Sequence, residues 1–235
     1  MRLQACLNGA RPADTPGLPL TPAAMAADAA AARRAGAECL HVHPRGTDGA
    51  ETLGPAEVAG TLLVIRAAVP GMPVGISTGD WIRPRAGRLA DMSGWTERPD
   101  YVSVNLSEPD APEMMALMRE MAVGIELGLA SRADVGRLLA LPAPSAGAIR
   151  AMIEMGPGEF AAARAEAEAM RAALAPLGLP ILLHGFDDNA WDFIDLAAAW
   201  GCQTRIGLED VLSLPDGRAA GNAALVAEAA RRLGR

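Results

Sequence analysis

Short runs of β-type residues alternate with longer helical stretches along the whole chain, and the run ends recur about every 20–35 residues. That interval is the length of one strand-plus-helix unit. Eight such runs are predicted, at residues 3–8, 39–43, 73–77, 101–106, 122–127, 148–154, 180–184 and 203–208. The helical segments between them carry recognisable ends. Thr21-Pro22 reads as N-cap and first helical residue, Gly36 closes that helix after Arg33-Arg34, and an alanine-rich helix over 159–173 stops at Pro176 and Gly178. Eight units in 235 residues fit an α/β fold of one kind, a (β/α)8 TIM barrel spanning residues 1–235 as a single domain. A doubly wound open sheet is the competing arrangement. Against it, no GxGxxG follows the first run.

Barrel enzymes keep their chemistry at the carboxyl ends of the strands. In this sequence the polar residues collect there. The first run ends in Asn8, the second in His41-Val42-His43-Pro44-Arg45, the third in Ser77-Thr78-Gly79 and the fourth in Asn105. The fifth carries Glu126, the sixth ends at Glu154, the seventh at His184, and the eighth passes Arg205 into Glu209-Asp210. One polar site at one face is the expectation.

Composition removes several chemistries. The chain has no lysine, so Schiff-base catalysis, pyridoxal phosphate attachment and a P-loop are excluded. A formal net charge of −7 without a basic cluster lacks the footprint of a nucleic-acid binder and gives little affinity for anionic membranes. Cys6, Cys39 and Cys202 are far apart with no CxxC, which argues against a disulfide framework or a cysteine-zinc site. No run of 18 apolar residues occurs and the first residues hold no long apolar stretch, so a cytoplasmic protein is expected.

His41 and His43 are two apart on a strand, so both imidazoles point to one side and can grip one ion. Two hydrogen-bonded core histidines are the plainer alternative. A zinc with open positions needs a third protein ligand, and Glu209, Asp210 and His184 are the candidates. Adjacent Glu209 and Asp210 point different ways, so one can ligate while the other acts as base. A helix-start turn accounts for the pair equally well. His184 is a fourth ligand, a substrate hydrogen-bond donor or a structural residue. Ser77 and Thr78 suit a substrate carboxylate, and a plain Ser-Thr turn accounts for them equally well. Glu126 is either a buried partner or a proton-transfer group, Glu154 reads as a solvated carboxylate, and Asp187-Asp188-Asn189 reads as a cap for the next helix.

Taken in order, Asn8-Gly9-Ala10, Leu18-Pro19-Leu20-Thr21-Pro22, His41-x-His43-x-Arg45, Ile76-Ser77-Thr78-Gly79, Val104-Asn105-Leu106 and Arg205-x-Gly207-x-Glu209-Asp210 resemble the β-keto acid cleavage enzymes. The resemblance implies a zinc-dependent barrel that exchanges acyl groups between a β-keto acid and acetyl-CoA, giving acetoacetate and a new acyl-CoA. It implies His41, His43 and Glu209 as metal ligands and Asp210 with Arg205 as the acid/base pair. Ser77 and Asn105 match substrate-binding positions, and Glu126 an active-site carboxylate. It also implies a homo-oligomer acting on small molecules. The chain departs from the family in two places. His184 and Asp187-Asp188 stand in a stretch that is usually of small residues, and Arg11 stands where members acting on amino-substituted substrates carry an acidic residue. Arg11 therefore points to a substrate with an anionic or neutral polar far end, such as a β-keto diacid; the plainer alternative is that it points to solvent in a mobile loop with Pro12 and Pro16.

The chemistry is coherent on the residues alone. A β-keto acid chelates a metal through its ketone and carboxylate oxygens, and without lysine a metal is the available electron sink. A metal-dependent aldolase or lyase working without CoA, a metal-dependent hydrolase and a non-catalytic metabolite-binding barrel are the alternatives. The hydrolase pattern places HxH on the first strand with more histidines than this chain has.

Overall fold

The computed structural model describes residues 3–235. Eight parallel strands are ordered β7-β6-β5-β4-β3-β2-β1-β8. They are β1 (Leu3–Cys6), β2 (Cys39–Val42), β3 (Val74–Ser77), β4 (Tyr101–Asn105), β5 (Gly124–Leu129), β6 (Ala148–Met155), β7 (Ile181–Gly185) and β8 (Thr204–Ile206). Main-chain bonds from Leu183 N to the Gln203 carbonyl (2.9 Å) and from Gln203 N to the Ile181 carbonyl (2.8 Å) join β7 to the start of β8 and close the ring. The helices that alternate with the strands are α1 (Pro22–Arg34), α2 (Pro55–Ala68), α3 (Arg85–Ser93), α4 (Ala111–Glu120), α5 (Arg132–Leu139), α6 (Phe160–Leu174), α7 (Ala190–Trp200) and α8 (Asn222–Arg232). This is the expected (β/α)8 barrel. No helix among the described residues is long and apolar enough to cross a membrane.

Period-two alternation divides every strand between two environments. Leu40 and Val42, Val102 and Val104, Ile125 and Leu127, and Ala151 and Ile153 turn outward into the apolar layer under the helices. The alternate residues fill the barrel, and many are polar. At its amino-terminal end Gln4 donates to the Tyr101 hydroxyl (2.7 Å), which donates to the Leu40 carbonyl (2.5 Å). Gly75 makes room for that ring, since a Cβ there would lie 2.1 Å from it.

The run predicted at 122–127 begins instead at Gly124, because Ala122 adopts φ 56° to close α4, with Val123 N bonded to the Met118 carbonyl. The run predicted at 203–208 ends at Ile206. Gly207 passes so close to β1 that a Cβ would sit 1.9 Å from the Cys6 carbonyl oxygen, and its own carbonyl accepts from Asp210 N and Val211 N, turning the chain at the barrel mouth. Thr21 caps α1 as expected, accepting from Ala24 N. Asp187-Asp188-Asn189 does not cap α7 through a side chain. It forms a 3-10 turn running into the helix, with Asp187 at φ 47° held by a 2.7 Å bond from its N–H to the Asp210 carbonyl.

Candidate active site

A cleft of about 590 Å³ opens at the carboxyl ends of the strands. His41 and His43 reach it from β2 and the residue after it, with their Nε2 atoms 3.1 Å apart. Glu209, in the turn after β8, brings Oε2 within 3.8 Å of His41 Nε2 and Oε1 within 3.8 Å of His43 Nε2. One ligand atom from each lies within 4.8 Å of the others. Gly9, at φ 57°, makes the space for Glu209, because a Cβ there would strike its side chain at 2.2 Å.

The donor set fits a divalent metal. His43 Nδ1 is 2.6 Å from Glu51 Oε2, so Nδ1 carries the proton and Nε2 presents its lone pair. Burial, reinforced by His43 and Arg205, lowers the His41 pKa to about 4 and keeps that ring neutral. Burial raises the Glu209 carboxyl, but Arg205 and the two imidazoles more than offset it and hold the group ionised below the ordinary range. Glu209 Oε2 is buried without a hydrogen-bond partner among the described residues, as a ligand atom without its ion would be.

Arg205, 2% exposed on β8, ties the next pair together. Its Nη2 donates to Glu209 Oε1 (2.6 Å) and Asp210 Oδ1 (2.7 Å), and its Nε donates to Asp210 Oδ1 (3.0 Å). Asp210 itself is fully buried behind Arg205 and does not line the cleft. Burial raises its carboxyl above the ordinary value, with Arg205 opposing. Ser77 and Asn105 line the cleft as expected. Asn105 Nδ2 donates to Glu108 (2.9 Å), which accepts from the buried Arg88 (2.7 Å).

Besides Asp210, three expected site residues stand elsewhere than at the cleft surface or carry a different partner. Glu126 is fully buried one layer below, paired with Arg150 Nε at 2.5 Å, and does not line the cleft. Its inward position on β5 is correct, but Arg150 on the adjacent β6 claims it. His184 also lies behind the surface, 1% exposed, between Glu154 and Asp210. Arg11 does reach the mouth, but its Nη2 is paired with Asp187 (2.6 Å) and its Nε bonds the Leu208 and Glu209 carbonyls (3.2 Å each).

Trp81, which the sequence did not single out, and Glu154, which it read as a solvated carboxylate, both belong to the cleft. Trp81 lines it, stacks on His43 with ring centroids 6.5 Å apart and donates to Glu51. Loop residues of this kind leave no periodic signal. Glu154 lines the cleft as well. Extending the inward phase Arg150, Met152, Glu154 along β6 would have found it.

A family model for the beta-keto acid cleavage enzymes matches residues 1–235. The chain belongs to that family. A comparison with curated proteins finds no match. Among solved structures, ObcA in binary complex with oxaloacetate is similar at a TM-score of 0.73 and 18% identity, over 94% of this chain and 64% of that one. ObcA in ternary complex with a C4-CoA adduct and oxalate gives 0.72 at 18% identity, over 93% and 64%. This chain thus spans less than two thirds of the length of those family relatives. The type I 3-dehydroquinate dehydratase of Clostridium difficile shares the barrel at 0.64 and 11% identity, over 99% and 90%.

Proposed function

We propose that this protein is a zinc-dependent β-keto acid cleavage enzyme that condenses a β-keto acid with acetyl-CoA and releases acetoacetate and a new acyl-CoA. The observation that carries the reading is the convergence of His41, His43 and Glu209 on one point, with Arg205 bridging Glu209 and Asp210 beside it. Two imidazoles and one carboxylate suit zinc and leave positions open for a chelating substrate. The ion, when bound, supplies Lewis-acid stabilisation of the enolate charge that develops as the substrate loses a proton.

The chain's own residues do the rest. Ser77 and Asn105 orient the substrate carboxylate. Arg205, which lines the cleft, and Asp210 behind it act as the unit that manages the proton on the carbon between ketone and carboxylate, with Asp210 acting through the guanidinium it holds. Arg11 and Asp187 set the charge met by the far end of the substrate. ObcA's complexes with oxaloacetate, itself a β-keto acid, and with a CoA adduct accord with this choice of partners. An aldolase or lyase working without CoA would share the metal and the proton-transfer unit but make no acyl-CoA. The test is a panel of β-keto acids incubated with the metal-loaded protein and acetyl-CoA. Acetoacetate and the matching acyl-CoA formed one for one support the reading. Cleavage that proceeds equally without acetyl-CoA overturns it.

A further inference from the structure

Across the barrel from the imidazoles stands a carboxyl that the reading above does not use. In the closed ring β2 and β6 are four strands apart in either direction, so Glu154 on β6 faces His41 from the opposite wall. The wall around it is apolar, built by Met152, Gly156, Pro157 and Phe186. Its cross-strand partner on β7 is His184, whose Nε2 is 3.6 Å from Glu154 Oε2 and whose Nδ1 is 3.5 Å from Asp210 Oδ1. Phe186 packs edge-on against that imidazole at 4.9 Å between centroids, and neither ring nitrogen has a hydrogen-bond partner among the described residues.

We propose, on the acetyl-CoA reading above, that Glu154 is a second acid–base group of the acyl exchange, serving the thioester sulfur, and that His184 is its positioning residue. The carbon acid sits with the metal ligands and Arg205. The thioester then lies toward the apolar wall, where Glu154 lines the cleft without a cationic partner of the kind that Arg11 gives the neighbouring Asp187.

Protons and electrons balance. When the first tetrahedral adduct collapses, the C–S bond breaks with its pair going to sulfur, and the Glu154 O–H proton moves to that sulfur. This leaves a free thiol and a Glu154 carboxylate. When the thiol sulfur attacks the second acyl carbonyl, the new C–S bond forms and the S–H proton returns to Glu154.

The surroundings suit the task. The charged and titratable groups acting on Glu154 are His184 from β7, Arg205 and Glu209 from β8 and the turn after it, and Asp134 from α5. Burial raises its pKa to about 6, with Arg205 opposing and the two carboxylates adding. An ordinary thiol ionises at about 8.5, so transfer from this carboxyl to a departing thiolate runs downhill.

The test uses the metal-loaded protein and Glu154→Gln. Acyl exchange with acetyl-CoA should fall about 10²–10⁴-fold, with metal content and thermal midpoint unchanged. With S-phenyl thioacetate as donor, whose arylthiolate leaves without a proton, the loss should shrink to ~10-fold or less. Equal losses on both donors, or undiminished exchange with acetyl-CoA, overturn the assignment alone. No exchange by the wild type overturns the acetyl-CoA reading and this assignment with it. For His184, the loss in His184→Asn should follow the same split, larger with acetyl-CoA than with S-phenyl thioacetate, at unchanged metal content. Equal losses on both donors overturn the positioning role.

Discussion

His43 Nδ1 lies 2.6 Å from Glu51 Oε2, and this contact decides which ring nitrogen faces the cleft. Glu51 in turn accepts from the Trp81 indole at 3.2 Å, so the carboxylate is held from two sides. Partners of this kind orient a metal-ligating imidazole and raise its basicity, and losing one typically costs about 10–100-fold in metal affinity. Glu51→Gln should weaken zinc binding by that order, whereas His41→Ala, His43→Ala and Glu209→Ala should abolish stoichiometric binding. Calorimetric titration and metal analysis measure both. Full occupancy in all three alanine variants would remove the metal assignment.

Asp210 and Glu209 share one guanidinium yet have different expected roles. Asp210→Asn should keep its metal and lose about 10²–10⁴ in turnover. Glu209→Gln should lose affinity for the metal itself. Arg205→Ala should resemble Asp210→Asn in turnover, because two groups acting as a unit are non-additive, and the double variant should be little worse than either single one. Steady-state rates on metal-replete protein decide it. Wild-type activity in Asp210→Asn would reduce Asp210 to a residue of the turn after β8.

The barrel was legible because period-two alternation and helix caps are local properties, and each predicted strand forms close to its expected place. Its errors are where a long-range contact overrides the local pattern. Gly207 stops β8 early because β1 passes against it, and Asp187 serves Arg11 and the Asp210 carbonyl rather than the start of α7. The spacing of His41 and His43 marked the imidazole pair, but it left Glu209, Asp210 and His184 as candidates for the third ligand, and the resemblance to the β-keto acid cleavage enzymes pointed to Glu209. The roles of Glu126 and Glu154 were not legible. Both point into the barrel, and only the depth at which each sits, set by strand stagger, separates a buried ion pair with Arg150 from a cleft carboxyl.

Acid should destabilise the metal-free protein through His184. Burial, with Arg205 adding, lowers its folded-state pKa to about 3. The unfolded chain protonates this imidazole near 6.5, so stability is lost as pH falls from there toward 3. Linkage puts the loss between pH 7 and pH 5 at about 2 kcal/mol for this residue. Glu154 acts in the opposite direction between about 6 and 4.5, because its raised folded-state pKa favours the folded protein as it takes up a proton. Urea unfolding of wild type and His184→Leu at the two pH values isolates the histidine. The variant should gain on the wild type by about 2 kcal/mol at the lower pH. A constant difference would mean that His184 takes up its proton in the folded protein as it does in the unfolded chain.

Arg11 and Asp187 form an ion pair at the cleft mouth, and charge selection there is expected to depend on both. Arg11 is only partly exposed, its Nε is committed to the two carbonyls after β8, and its Nη2 is paired with Asp187. The pair is near neutral as it stands, which disfavours a cationic substrate less than a free guanidinium would. Asp187→Asn should release the positive charge and raise kcat/KM for a β-keto diacid relative to a neutral β-keto acid. Arg11→Glu should set two carboxylates side by side and turn the preference toward an amino-substituted substrate. Charge-assisted hydrogen bonds contribute about 1.5–3 kcal/mol, so each shift in the ratio should be of the order of 10–100-fold. Kinetics on matched cationic, neutral and dianionic β-keto acids measure it. Opposite movements of the ratio in the two variants identify the pair as the selector. If both leave the ratio where it was, the charge at this end of the cleft does not touch the substrate, and Arg11 and Asp187 only fasten the loop after β1 to the turn after β7.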